Sequence, residues 1–206
     1  MNTRKCAVAA ALVTGLASTV FSTTASATLL TSSVSVDNGY VLYISTNNAT
    51  AGTSFSAGNA WTTTYTGSTT LAAGTDYYLH VYAYDQGGIA GFLGDFSLTG
   101  TDHIFSNGLT SLQTNATNWL GNNTGFSSAY GALTDLGQDG VSPWGNRAGI
   151  SDTAHWIWAG NAYDNNFAYF TTVISAVQAN TVPEPGTAAL IGLGLLGFGL
   201  SKRRKA

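Results

Sequence analysis

The sequence predicts an all-β fold, a two-layer β-sandwich, occupying residues 28–181 between two terminal segments of different character. Three observations lead there. Segments of five to eight residues rich in Val, Ile, Tyr, Phe, Thr and Trp recur between clusters of Gly, Asn and Asp, the pattern of short strands joined by turns. No stretch sustains the 3.6-residue apolar period of an amphipathic helix. All five Trp, all ten Tyr and seven of the nine Phe lie in this body, enough apolar surface for a packed core although only 8% of the chain is charged.

Taken in order, the first strand signal is the Asn38-Gly39 pair. It is the favoured two-residue hairpin turn and predicts a short strand over Val34–Val36 joined to a longer one over Tyr40–Ser45. In the longer strand Tyr40, Leu42 and Ile44 share one face and Val41 and Tyr43 the other. Tyr77–Tyr84 repeats this alternation, with Tyr77, Leu79, Val81 and Ala83 opposite Tyr78, His80, Tyr82 and Tyr84. Further strands are expected over Phe92–Leu98, Ala154–Ala159 and Phe167–Ile174. Pro143, the body's one proline, falls in a loop and interrupts none of them. No internal repeat is visible, which argues against a propeller or solenoid.

The two ends read as addresses. Arg4-Lys5 precedes an apolar stretch from Cys6 to Ala17, and Ala25-Ser26-Ala27 supplies the small residues a signal peptidase accepts, so residues 1–27 are expected to be a secretory signal. Cleavage between Ala27 and Thr28 would remove the chain's single cysteine and leave a mature protein with no thiol chemistry. At the other end, residues 182–206 hold Pro183-Glu184-Pro185, an uncharged run from Thr187 to Ser201 and the basic cluster Lys202-Arg203-Arg204-Lys205. As a helix the run would rise about 22 Å, short of the roughly 30 Å of hydrocarbon, so its basic end would snorkel at the cytoplasmic surface. Residues 187–201 are therefore expected to form a single transmembrane helix.

Charge narrows the function. The body carries nine Asp and one base, Arg147, a net charge of −8 with its histidines neutral. A lysine-free acidic surface has nothing with which to neutralise phosphates, which excludes nucleic acid as a partner. The three histidines, His80, His103 and His155, stand apart, with no HExxH and no cysteine pair, so no metal centre is expected. There is no GxSxG elbow. The body has no Glu, so a glycosidase would need two Asp as its acid and base. No catalytic residue is predicted, and an Asp-dependent glycosidase is the alternative. Calcium is the one cofactor the acidic composition invites; Asp85, Asp95, Asp102 and the group Asn161, Asp164, Asn165 and Asn166 read either as its ligands or as solvated turn residues.

Sugar binding asks for an aromatic face beside planar polar groups. The loop GQDGVSPWGNRAG, residues 137–149, gathers Asp139, Trp144, Asn146 and Arg147 on a glycine-rich segment and is the candidate carbohydrate site. The same residues have a packing reading, Trp144 as core and Arg147 paired with an Asp. Trp119, among Asn115, Asn118, Asn122 and Asn123, is a second exposed candidate. Trp61, Trp156 and Trp158 are expected in the core. Thr62, Thr64 and Thr66, on one face of an expected strand, are the one hint of ice binding, a remote alternative.

Two resemblances add to this reading. The tail, in the order Pro-Glu-Pro, Gly/Leu-rich span and basic end, resembles the PEP-CTERM sorting signal of Gram-negative bacteria that secrete exopolysaccharide. It implies recognition by exosortase, a membrane-embedded cysteine transpeptidase, with cleavage near Pro183-Glu184-Pro185 and delivery of the body to the cell surface or the exopolysaccharide matrix of a biofilm. Within the body, DNGYVLYIS (37–45), NAWTTTY (59–65), GTDYYLHVYAYDQGGIAGFLGDFSL (74–98), SPWG (142–145), AHWIW (154–158) and YFTTVI (169–174) are similar to galactose-binding-like jelly-roll modules. Such modules are appended to bacterial rhamnosidases and beta-galactosidases. The resemblance implies a non-catalytic accessory of a kind that often binds sugars, here extracellular polysaccharide, and in many members is only structural, and it assigns no ligand residue.

Overall fold

In a computed structural model of the protein, the described residues are 27–126 and 129–177, with Gly186, Leu190 and residues 192–194 beyond them. The body is all-β, two antiparallel sheets packed as a sandwich. One sheet, called A, holds β1 (Thr28–Asp37), β4 (Tyr65–Leu71), β6 (Gly91–Leu98), β8 (Ser111–Gln113), β10 (Thr134–Gln138) and β11 (His155–Trp158). Sheet B holds β2 (Gly39–Ser45), β3 (Thr53–Gly58), β5 (Tyr77–Tyr84), β7 (His103–Phe105), β9 (Leu120–Asn122) and β12 (Phe167–Ala176). The order is β10-β11-β6-β1-β4 in A, with β8 also on β6, and β3-β2-β5-β12-β7 in B, with β9 also on β12.

The expected alternation sets which side chains enter the core. Leu30, Val34 and Val36 of β1 and Phe92, Phe96 and Leu98 of β6 point inward from sheet A. They meet Tyr40 and Leu42 of β2, Leu79 and Val81 of β5, and Phe170 and Ile174 of β12. Each such side chain contributes about 1.5–3 kcal/mol relative to exposure. Trp119 stands edge-on to Phe92 at 5.3 Å between centroids and is fully buried, against its expected exposure. Its Nε1 donates to the Gln113 carbonyl at 3.3 Å, so its polar edge is satisfied from the neighbouring segment.

The Asn38-Gly39 hairpin is corrected. β1 pairs with β4 and β6, and β2 with β3 and β5, so the pair is a corner where the chain crosses from sheet A to sheet B. Gly39 is required there for space, because a Cβ would collide with the Tyr84 ring and come within 2.9 Å of the Gly58 carbonyl. The Thr62, Thr64, Thr66 face is also corrected: β4 begins at Tyr65, so only Thr66 is in the strand.

The terminal expectations lie almost wholly outside the described residues, including Ala25 of the expected cleavage site, Pro183, Glu184, Pro185 and most of residues 187–201. Gly186, Leu190 and residues 192–194 are helical. No helix among the described residues is long and apolar enough to cross a membrane. Thr28, the residue expected after signal cleavage, opens β1, where its buried Oγ1 meets His103 Nδ1 at 2.8 Å.

Candidate functional site

The structure brings the four loop residues together and shows how each is used. Trp144 is 2% exposed, because its ring lies flat on Trp156 with centroids 4.4 Å apart and an interplanar angle of 18°. Gly91 of β6 makes the space for that stack, since a Cβ there would stand 2.8 Å from both rings. With Leu93, Ile150 and Ala154, the two tryptophans form a second apolar cluster on the outer face of sheet A, capped by the loop itself. The polar edge of Trp144 points at the β1 end, where Nε1 donates to Asp37 Oδ2 at 2.9 Å.

Asp139 is buried and accepts the backbone N–H of Arg147 on both oxygens, at 2.9 and 3.0 Å, and that of Gly140 at 3.0 Å. It closes the loop in the way a side chain caps a turn. Arg147 pairs with no carboxylate among the described residues. Its guanidinium donates to the Trp61 carbonyl at 3.1 Å and to the Trp144 carbonyl, and lies 5.4 Å over the Trp61 ring. Trp61 is accordingly half-buried against the second cluster and not in the main core. Asn146 alone stays exposed, bonded to Asp152 at 3.3 Å. Thr62, Thr64, Asn146, Arg147 and Ala148 line a shallow hollow of about 340 Å³.

Directly behind Trp144 lies a feature that the sequence analysis did not single out as a site. Asp37 ends β1 and Asp85 follows β5. The two strand ends are tied together by Asn38 N–H donating to the Tyr84 carbonyl at 2.7 Å and by Gln86 N–H donating to Asn38 Oδ1 at 2.6 Å. Asp85 is 5% exposed; Oδ2 accepts from Gly87 N–H at 3.0 Å, while Oδ1 is buried with no partner. Burial pushes the Asp37 carboxyl above the usual range. The Asp85 charge adds to that rise, and the Trp144 hydrogen bond opposes it. The buried Asp85 and the half-buried Asp37, near enough for their charges to repel, have no cationic partner among the described residues and form a negative centre. With Asn38 they present hard oxygen donors of the kind calcium takes. Asp85 was among the aspartates weighed for calcium; Asp37, 48 positions away, carried no local signal.

The other residues weighed for calcium are engaged within the chain. Asn161 donates to Asp164 Oδ2, accepts Tyr163 N–H at 3.0 Å, and offers its own N–H to Asn165 Oδ1 at 2.7 Å. Asp95 Oδ2 accepts Ser151 N–H at 2.6 Å. Of the histidines, His80 is fully buried in sheet B, its ring stacked on Phe126 at 5.0 Å and Nε2 3.2 Å from Asn48 Oδ1. Burial holds its pKa below the ordinary value. His155 pairs with Asp135 at 2.8 Å on the β10–β11 edge of sheet A.

The outer face of sheet B carries a second arrangement. Tyr84 stands opposite Phe167, and Tyr82 opposite Tyr169, across the β5–β12 ladder. Their rings form one contiguous group, with Tyr82 centroids 6.0 Å from Tyr84, 5.1 Å from Tyr169 and 6.4 Å from Phe167.

Comparison with known proteins identifies the tail. Residues 181–205 match the family described as the PEP-CTERM protein-sorting motif. This motif marks an exported, membrane-anchored precursor that is a target of exosortase. No curated protein and no solved structure matches the chain.

Proposed function

We propose that the body is a non-catalytic carbohydrate-binding module of galactose-binding-like jelly-roll type, freed at the tail for the cell surface or extracellular matrix and binding glycan beside a calcium ion at the Asp37–Asp85 end. The observation that carries this reading is the buried, partnerless Asp85 Oδ1 next to Asp37 and beneath the loop of Trp144, Asn146 and Arg147. A divalent cation there would neutralise both carboxylates and, on the half-buried Asp37 side, would keep coordination positions open to vicinal sugar hydroxyls. The non-catalytic part of the reading is supported by the same geometry. A glycosidase presents one protonated and one ionised carboxyl to its substrate, whereas Asp37 is tied to Trp144 and Asp85 is enclosed.

The test is a calcium titration of the full chain in mild detergent, followed by thermal unfolding and by a glycan array with calcium or with EDTA. With two carboxylates the affinity expected is that of extracellular calcium modules, about 10⁻⁴–10⁻³ M. At about ten times the Kd, calcium then stabilises the fold by about 1.4 kcal/mol. Asp85→Asn is expected to abolish both the calcium response and calcium-dependent glycan signal. A protein indifferent to calcium and silent on the array sinks this reading, and turnover of aryl glycosides lost in Asp85→Asn would replace it with the glycosidase.

A further inference from the structure

We infer that the outer face of sheet B is a separate docking platform for an extended neutral polysaccharide, lying across β5 and β12 on the rings of Tyr82, Tyr84, Phe167 and Tyr169. This goes beyond the calcium-assisted end site: it adjoins that site at Tyr84, whose backbone carbonyl holds Asn38, but it uses the ring faces of sheet B and none of the proposed calcium ligands. Phe167 is 53% exposed, and its ring is within 9° of parallel to that of Tyr82. Among the described residues the hydroxyls of Tyr82, Tyr84 and Tyr169 accept and donate no hydrogen bond, so three donors stand among apolar ring faces. Tyr82 keeps its proton firmly, since burial and the neighbouring phenols Tyr169, Tyr84 and Tyr43 all raise its pKa.

At the β12 end the platform runs into a hollow of about 280 Å³ lined by Asn123, Asp164, Asn165, Asn166 and Phe167. The Asn166 side chain is exposed and bonds nothing among the described residues, while Asn123 is held by the Ala159 and Phe167 carbonyls at 2.8 and 2.7 Å.

The chemistry selects the occupant. Pyranose rings offer C–H faces to aromatic rings and hydroxyls to phenols and amides, so both halves of the surface are answered. A second copy of the chain packed ring against ring would instead bury the three phenol hydroxyls without partners. An anionic chain finds no cation here: the charged groups at this end are Asp164 and Asp85, whose N–H donates to the Asn166 carbonyl, and the body's single guanidinium is bound to the Trp61 and Trp144 carbonyls.

Affinity electrophoresis of the full chain in mild detergent, in gels containing hydroxyethylcellulose, galactomannan or alginate, tests this. Retardation is expected in at least one neutral gel and not in alginate. It should weaken about tenfold in Phe167→Ala and more in Tyr82→Ala with Phe167→Ala, each shown folded by circular dichroism. Tyr82→Phe keeps the ring and is expected to keep most of the retardation. Asp85→Asn and EDTA should leave it unchanged, which separates failure here from failure of the end site. Migration unaffected by both neutral polymers, equal retardation of the double variant, or a sedimenting dimer that Phe167→Ala dissolves would each overturn the platform.

Discussion

On sheet A, outward positions of β1, β4 and β6 are Thr31, Ser33, Thr66, Ser68, Asp95 and Ser97, hydroxyls and one carboxylate around a hollow of about 640 Å³. On sheet B, outward positions are Tyr78, His80, Tyr82 and Tyr84 of β5 and Phe167, Tyr169, Thr171 and Val173 of β12. Where sheet A does carry large apolar groups outward, at Leu93 and Trp156, the chain spends residues 139–150 covering them with Trp144 and Ile150. On sheet B, Phe126, Tyr130 and Asn48 cover His80, and Phe126 also packs edge-on against Tyr43 and Tyr169. The difference teaches that an outward ring is covered where it serves the fold. Tyr82, Tyr84 and Phe167 on sheet B receive no such cover among the described residues, which is what the proposed docking platform requires.

The sharpest way to break that comparison is to truncate one ring from each face. Trp156 is fully buried and stacked, so Trp156→Ala is expected to cost about 3–5 kcal/mol in denaturant unfolding, as large-to-small core changes do. Phe167→Ala, at 53% exposure, is expected to cost less than about 1 kcal/mol. Similar losses at the two positions would mean that the sheet B rings are structural after all.

Much of the fold was legible because four strands pair an inward apolar period with strong β-formers. β5 was read to the residue, and β2, β6 and β12 to within a residue or two. The first half of β1, β3 and β4 were not read, since their Ser, Thr and Gly residues carry little alternation of hydrophobicity even where the burial alternates. Strands of three to five residues, β7 to β10, are set by their partners and leave no period to detect. The loop around Trp144 was legible as a cluster, but not its use. The groups that engage it, Asp37, Trp61 and Trp156, lie far away in sequence. The same holds for Asp37 with Asp85, and for Tyr82 with Phe167, which are brought together only by strand pairing.

Acidification should act on the covered part of sheet B. His80 pairs with no carboxylate among the described residues; its neighbours are the Asn48 amide, the Ala51 and Thr50 backbone, which favour the charged ring, and the rings of Phe126, Tyr130 and Tyr78. Its folded pKa lies below the ordinary value because burial disfavours the charged ring. The unfolded chain therefore takes up the proton first, near pH 6.5, and stability falls as pH drops through that point, by at most about 1.4 kcal/mol per pH unit. Denaturant midpoints at pH 7.5 and 5.5 should show the decline in the wild type and a flatter profile in His80→Gln. Equal slopes would place the proton uptake elsewhere.

The smallest effect is expected on the edge of sheet A, at the Asp135–His155 pair. Their 2.8 Å contact is close, yet the side chains are 45% and 29% exposed, so water and salt screen it. For Asp135, burial raises the pKa, but the hydrogen bonds from His155 and Gly137 and the histidine charge outweigh it, and the carboxyl lies below its ordinary value. A depressed carboxylate contributes stability that is present above its unfolded pKa of about 3.9 and is lost as pH falls through the lower folded value. Asp135→Asn is therefore expected to lower stability at pH 6 by under about 1 kcal/mol, and by less still in 1 M salt, where charges this exposed are screened. Unlike Trp156, this pair covers nothing, so its loss should leave the stack over β6 and the loop of Asp139 intact. Near-ultraviolet circular dichroism, which reads the stacked tryptophans, should be unchanged in the variant. A loss of several kcal/mol with an altered tryptophan signal would show that the edge pair holds the second cluster closed, and that the covering of sheet A depends on charge as well as packing.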